Sequence, residues 1–356
     1  MTARIYLDHA ATTPVLPEAR AAMADALEHW ANPSSPHADG RAARAMLEEA
    51  RGVVAGTLGW RHDVLFTSGA SEAVIIAAAR ANIAGRIAGA TEHDIVGHAM
   101  GAGATMLTVG RDGLIDLDAL VAALAAGPAL VAVQHVNNET GVIQPLTDIA
   151  ERVRAAGSLL LADCAQGAGK IDLPDADFIA VSAHKLGGPP GIGALLVKDL
   201  GMLKPSGGQE KGYRRGTQDM PAAAAFAAAL AGGAFRDAMP RLARLRQRLD
   251  HGVKDRGGVV IAEGAARIPN IGAVALAGVS AASLLVRFDL AAFAVSAGSA
   301  CSSGSMKPSH VLAAMKVPPE IAAATIRVSF GPATSEAEID AFLAEWSRIA
   351  ERARAA

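Results

Sequence analysis

The sequence predicts an α/β protein: a mainly parallel sheet with helices on both faces, followed by a smaller α+β part. Three observations carry this. Short apolar runs recur at Asp63 to Thr67, Ala129 to Gln134, Ser158 to Ala162, Phe178 to Val181 and Ile192 to Val197. Stretches with helical spacing alternate with them, the pattern of a parallel sheet covered by helices. Polar clusters follow the strands, at Ser68 to Ser71, Gln134 to Glu139, Asp163 to Gln166 and Ser182 to Lys185. Open α/β sheets build their sites at the carboxyl ends of strands.

Bulk properties narrow the function. A chain of 356 residues has room for two domains or one large α/β unit, and 51% hydrophobic residues exclude a disordered protein. Lys and Arg number 33 against 35 Asp and Glu, a formal charge of −2, so the basic stripe of a nucleic-acid binder is not expected. The two cysteines, Cys164 and Cys301, suggest no disulfide framework and fit a reducing, cytoplasmic setting. Met1 to Asp8 meets an acid early and does not read as a signal peptide. The apolar stretch Ala222 to Phe235 is too short to span a bilayer and reads as a buried helix after Pro221, so no membrane role is expected. No metal site is assigned.

In chain order, Ile5 to Leu7 reads as a short strand before the polar turn Asp8 to Pro14. Pro17 to Trp30 has helical spacing, Asn32 to His37 is loop by composition, and Arg41 to Leu58 is a second amphipathic helix closed by Gly59. Ser68-Gly69-Ala70-Ser71-Glu72 turns from a strand into a helix from about Ala73. Free N–H groups and the helix dipole make such a turn an anion site. Thr91-Glu92-His93 precedes a Gly-rich stretch, and helices are expected over Asp116 to Ala126 and Leu146 to Ala156. Gly207 to Thr217 is a charged, Gly-rich loop, and helices follow from Pro221 to about Arg256. Arg241, Arg244, Arg246 and Arg248 read most simply as a solvated face. Val259 to Ala356 mixes strands and helices, as a smaller α+β domain would.

Lys185, in Ser182-Ala183-His184-Lys185, stands at the exit of a buried strand. Partial desolvation lowers a lysine's proton affinity and makes it a nucleophile able to form a Schiff base. Ser182 and His184 beside it can hold an anion. Alone, the stretch reads more simply as a surface lysine at a strand end. With Asp163, Asn138, Gln166 and His93 at other strand ends, the set suits a pyridine aldehyde bearing a phosphate. The lysine holds the aldehyde, an acid keeps the ring nitrogen protonated so that the ring withdraws electrons, an imidazole stacks on its face, and small hydroxyl residues at a helix start take the phosphate.

Ten stretches in this order resemble the cysteine desulfurases, class V aminotransferase-like enzymes of pyridoxal-phosphate (PLP) fold type I. They are Leu7 to Pro14, Asn32 to Ser35, Phe66 to Glu72, Thr91 to His93, His135 to Glu139, Asp163 to Gln166, Ser182 to Lys185, Arg214 to Thr217, Ser299 to Ser302 and Ile326 to Ser329. The resemblance implies a large PLP-binding domain over 16–238 and a small domain from 1–15 and 239–356. It implies that Lys185 holds the cofactor and moves protons at the substrate Cα, and that His93 stacks on the ring. By the same resemblance Asp163 pairs with the ring nitrogen and Gln166 with the ring oxygen. Ala70, Ser71, Ser182 and His184 would hold the phosphate, helped by Thr217 from the partner of a homodimer. Arg327 would grip the substrate carboxylate, with Asn138 beside it.

Cys301 lies among small residues, Ser296 to Ser305, which reads as an exposed loop. The resemblance makes it the acceptor of sulfur from L-cysteine, leaving a persulfide for an acceptor protein such as an iron–sulfur scaffold. Its long loop resembles the housekeeping and nitrogen-fixation branch. Cys164 reads as a small core residue. Three departures stand out: Val74-Ile75-Ile76 where the family commonly has an Asn, a short Asn82 to Ala90, and a short segment from His93 to Arg111. The last two suggest that surface or edge elements are trimmed. The rival readings are a selenocysteine lyase or aminotransferase of the same fold, and a non-catalytic sulfur-transfer scaffold.

Overall fold

The computed structural model describes residues 4–298 and 308–355. Its centre is a seven-stranded sheet in the order Asp63–Thr67, Gly193–Val197, Phe178–Ser182, Leu159–Asp163, Ala129–Gln134, Gly85–Gly89, Thr105–Leu107. Gly193–Val197 runs antiparallel to both its neighbours, and the other pairings are parallel. Every residue of Ala129–Gln134, Phe178–Ser182 and Gly193–Val197 is buried. That is why these strands read as continuous apolar runs rather than alternating ones.

The two faces are covered by different helices. Leu65, Ala88, Leu130, Leu161 and Leu195 face a cluster that includes Ala70–Arg80 and Asp94–Met100. Val64, Phe66, Val131, Val133, Ile179 and Leu196 face the larger core with Pro17–Glu28, Ala38–Thr57 and Met220–Ala231. The alternation along Asp63–Thr67 is the two-residue period of a strand. The apolar helix after Pro221 is Met220–Ala231, which packs between Pro17–Glu28 and Ala38–Thr57; its alanines allow close approach.

Some boundaries differ from the sequence reading. The helix expected from Arg41 starts at Ala38, because His37 caps it: Gly40 N donates to His37 Nδ1 at 3.2 Å. The helix expected from about Ala73 starts at Ala70, directly after Gly69. Segment 82–90, short as it is, belongs to the main sheet. It carries Gly85–Gly89, an inner strand between Ala129–Gln134 and Thr105–Leu107. A Cβ at Gly85 would stand 2.7 Å from Ala129 Cβ and 2.8 Å from Pro128 O, so close strand approach requires glycine there. The stretch after His93 holds Asp94–Met100 and the edge strand Thr105–Leu107.

The rest of the chain forms a three-stranded antiparallel sheet of Thr325–Ser329, Ile271–Ala275 and Val259–Val260, packed with helices Ala234–Asp255, Ala281–Leu290 and Glu336–Ala355. Ile5–Tyr6 pairs in parallel with Phe293–Ala294, so the start of the chain joins this late part. Phe288 and Phe342 stack at 4.5 Å, with Phe293 and Trp346 beside them. No helix among the described residues is long and apolar enough to cross a membrane.

The arginines of Ala234–Asp255 are not one solvated face. Arg244 and Arg248 are exposed, and Arg248 pairs with Asp340 at 2.6 Å. Arg241 donates to the carbonyls of Pro332 and Thr334. Arg246 is buried: it lies 4.2 Å from the Phe330 ring centre and donates to Val328 O at 2.7 Å and Pro269 O at 3.1 Å. Asp250, beside it, also takes Arg267 at 2.7 Å. Removing Arg246 takes the donor from one buried and one part-buried carbonyl and leaves a cavity against an aromatic ring. Arg246→Ala should therefore cost about 3 kcal/mol or more, whereas Arg244→Ala should stay within about 0.5 kcal/mol, both read as shifts of the chemical denaturation midpoint.

Candidate active site

One glycine brings the first two parts of the site together. Gly193 pairs with Thr67 on one side and Ser182 on the other. A Cβ there would lie 2.3 Å from Val181 O and 2.7 Å from Gly69 Cα. The turn after Asp63–Thr67 and the turn after Phe178–Ser182 can thus abut. The first turn enters helix Ala70–Arg80 through Gly69, at φ +152°, a backbone state that favours glycine. Ser68 and Ser71 of this turn line the cleft. In the second turn, Gly188 N and Leu186 N both donate to Ala183 O at 3.0 Å, which holds His184 and Lys185 at the cleft.

Other strands add their ends. Asp163 closes Leu159–Asp163, and its Oδ1 accepts from Ala165 N at 2.9 Å. Asn138 sits in a turn fixed by Asn137, whose Oδ1 accepts from Glu139 N and Thr140 N. His93 caps Asp94–Met100, and its Nδ1 accepts from Ile95 N at 3.2 Å. An amide can only donate, so the neutral ring carries its proton on Nε2. Arg327, on Thr325–Ser329, donates to Asp8 Oδ1 at 2.8 Å and to Asn138 O at 3.1 Å, while its buried Nε has no partner.

Together Ala70, Ser71, His93, Asn138, Asp163, Ser182, His184, Lys185 and Arg327 line one cleft of about 290 Å³. Gln166 is not among its lining residues: it is buried behind Ala10, donating from Nε2 to Ala10 O at 2.8 Å, with its Oε1 unpartnered. Thr217 is exposed on the loop after Gly193–Val197, outside the cleft. Cys301 and the rest of Ser299 to Ser302 lie outside the described residues. Cys164 is fully buried, and burial pushes its thiol well above the ordinary value, as suits a core residue.

The electrostatics favour an anion. Burial, then the charges of Lys185 and Lys170, holds His184 at about 4, so it is neutral near pH 7. Burial and Lys185 also lower His93, against the opposing pull of Asp163. Sequence reasoning missed two buried groups here. Lys170 lies 4.7 Å from the Phe235 ring centre without a hydrogen-bond partner, lowered to about 7 by burial and by Lys185. Glu92 is raised well above the carboxylate range by burial, with Oε1 accepting from Gln134 N at 2.8 Å. The only sequence signal for either was a charge set among small residues next to a strand-end cluster.

Fold and cleft together define the class. The sequence matches the aminotransferase class-V family over residues 5–342, and the chain belongs to that family. It is 37% identical to a cysteine desulfurase of Cereibacter sphaeroides over 99% of this chain and 97% of that one. Among solved structures it resembles a NifS-like protein from Rickettsia africae, with a TM-score of 0.89 and 28% identity over 98% and 99% of the two chains. It also resembles SspA in complex with cysteine, with a TM-score of 0.79 and 28% identity over 93% and 100%.

Two buried histidines around the site set a pH dependence. His9 and His135 each sit at about 4, lowered chiefly by burial. Between the unfolded value of about 6.5 and that folded value, the unfolded chain binds protons that the folded chain refuses. Stability is therefore lost as pH falls from about 6.5 towards 4. Denaturation midpoints should drop across this window, and His135→Gln should reduce the slope by about one proton.

Proposed function

We propose that the protein is a pyridoxal-phosphate-dependent cysteine desulfurase, converting L-cysteine to L-alanine and taking the sulfur as a persulfide on Cys301. The observation that carries the reading is the single cleft holding Lys185, Asp163, His93, a helix-start turn and Arg327. The residues fit the cofactor group by group. Lys185 would hold the aldehyde, Asp163 the ring nitrogen and His93 the ring face. The Ser68 to Ser71 turn would take the phosphate with Ser182 and His184, and the unpartnered Oε1 of Gln166 lies behind Ala10, which lines the cleft. A cleft of about 290 Å³ suits a small cofactor with an amino acid rather than a large ligand.

When bound, pyridoxal phosphate supplies an electron sink for charge developing at the substrate Cα. The chain's own residues do the rest. Arg327, held at Asp8 and Asn138 O, offers a fixed guanidinium fork to the substrate carboxylate. Lys185 moves the proton at Cα. The Cys301 thiolate forms an S–S bond with the substrate sulfur, the Cβ–S bond breaks, and Cβ takes up a proton to become the methyl of alanine. Both flanks of the Cys301 stretch are tied to the cleft. Ser296 and Arg327 exchange backbone hydrogen bonds at 2.7 and 3.2 Å, Ser309 Oγ donates to Glu139 at 2.6 Å, and His310 Nε2 donates to Glu92 O at 2.9 Å.

The proposal extends to a cytoplasmic homodimer in which Thr217 reaches the partner's phosphate. Residues 16–238 form the cofactor domain, and 1–15 with 239–356 the domain carrying Cys301. An iron–sulfur scaffold or another thio-cofactor pathway would receive the sulfur.

The two halves of the reaction should separate by mutation, with alanine and sulfide measured after adding L-cysteine and a reductant. Lys185→Ala should lose turnover by on the order of 10³-fold. Cys301→Ser should keep the absorbance change on adding L-cysteine yet release little alanine or sulfide. Full turnover by Cys301→Ser would contradict the proposal and favour selenocysteine lyase chemistry, in which selenium leaves without a protein thiol.

A further inference from the structure

The loop after Gly193–Val197 is fastened to the phosphate turn of its own chain by two carboxylates. Glu210 has a fully buried side chain. It accepts from Arg51 Nη1 at 2.7 Å, Arg51 Nη2 at 3.1 Å, Gln218 Nε2 at 3.0 Å and Phe66 N at 2.8 Å. Phe66 belongs to the strand that feeds the Ser68 to Ser71 turn. Glu210 and Lys211 both hold left-handed backbone, φ +48° and +57°, a cost that only firm anchoring sustains. Four residues on, Arg214 Nε donates to Glu72 Oε1 at 3.0 Å and Oε2 at 3.2 Å. The Glu72 carboxylate reaches back to accept from Ser68 N.

Glu72 therefore shapes the turn, as an acid in the first turn of a helix does. It also sets a negative charge beside a cup that is to hold a phosphate. A neighbouring carboxylate opposes a phosphate, and Arg214 is the cation that compensates. We infer that Arg214 is a positioning residue for the cofactor phosphate, acting through Glu72: it neutralises the carboxylate that shapes the phosphate turn, and Glu210 holds the loop so that it can. The inference rests on the reading that the Ser68 to Ser71 turn takes the phosphate. Since the same loop carries Thr217, each chain's own cup is tied to the segment offered to its partner.

Pyridoxal and pyridoxal phosphate, titrated into the cofactor-free full chain, separate charge compensation from simple loop support. Arg214→Gln should weaken pyridoxal phosphate binding at least about tenfold while leaving pyridoxal binding unchanged. Glu72→Gln with Arg214→Gln should restore the phosphate form to within about threefold of the parent. Unchanged affinity for both aldehydes in Arg214→Gln, equal loss of both, or no recovery in the double variant would overturn the inference. Ser71→Ala and Thr217→Ala test the underlying reading separately. If they discriminate against the phosphate and Arg214→Gln does not, only this inference fails; if neither discriminates, the phosphate is not held at this turn and the reading itself falls.

Discussion

The close packing of three strand ends at Gly193 is the constraint on which the site depends. Thr67 and Ser182 sit opposite the same glycine, so the Ser68 to Ser71 turn and the Lys185 turn leave the sheet at one level. Any side chain there would drive into Val181 O and Gly69 Cα and push the turns apart. The antiparallel run of Gly193–Val197, an exception in an otherwise parallel sheet, allows one residue to serve both neighbours. Asp163, Asn138 and His93 then arrive from successive parallel strands, as the carboxyl-end rule requires.

Around that frame, burial rather than charge pairing sets the protonation of the histidines. His9, His135 and His184 are held near 4, so near pH 7 they add hydrogen-bonding capacity without positive charge. Glu92 and Glu139 are raised, burial being the largest cause for each. Asp163 is then the carboxyl group that faces the cleft among its described lining residues, opposite Lys185 and Arg327. The result is a cleft that brings two cationic side chains, Lys185 and Arg327, a helix start and one carboxyl group, Asp163, to a single cavity.

Much of this was legible in the residue order. The strands of the main sheet that are buried on both faces announce themselves as apolar runs, and the clusters at their ends carry the polar groups that meet in the cleft. What was not legible depends on contacts across the chain. Gly85–Gly89 has one large apolar residue, Ile87, so the residue order marks no strand there, and its pairing with the strand from Ala129 is what defines it. Arg246 has the same helical spacing as its exposed neighbours and is buried only because Phe330 and the carbonyls of Pro269 and Val328 meet it. Gln166 follows Asp163 closely in sequence, yet its amide turns behind Ala10. Lys170 is a lone charge in a run of small residues, and nothing local says that it is enclosed.

The central claim is that Lys185 and Cys301 act in succession on one molecule of L-cysteine. It is tested most directly by a single turnover of the holoenzyme, with L-cysteine below the enzyme concentration and no reductant, followed by peptide mass spectrometry and alanine assay. The account predicts one added sulfur atom on the Cys301 peptide for each alanine released. Alanine released without added sulfur on that peptide, or sulfur found on Cys164 instead, would contradict it.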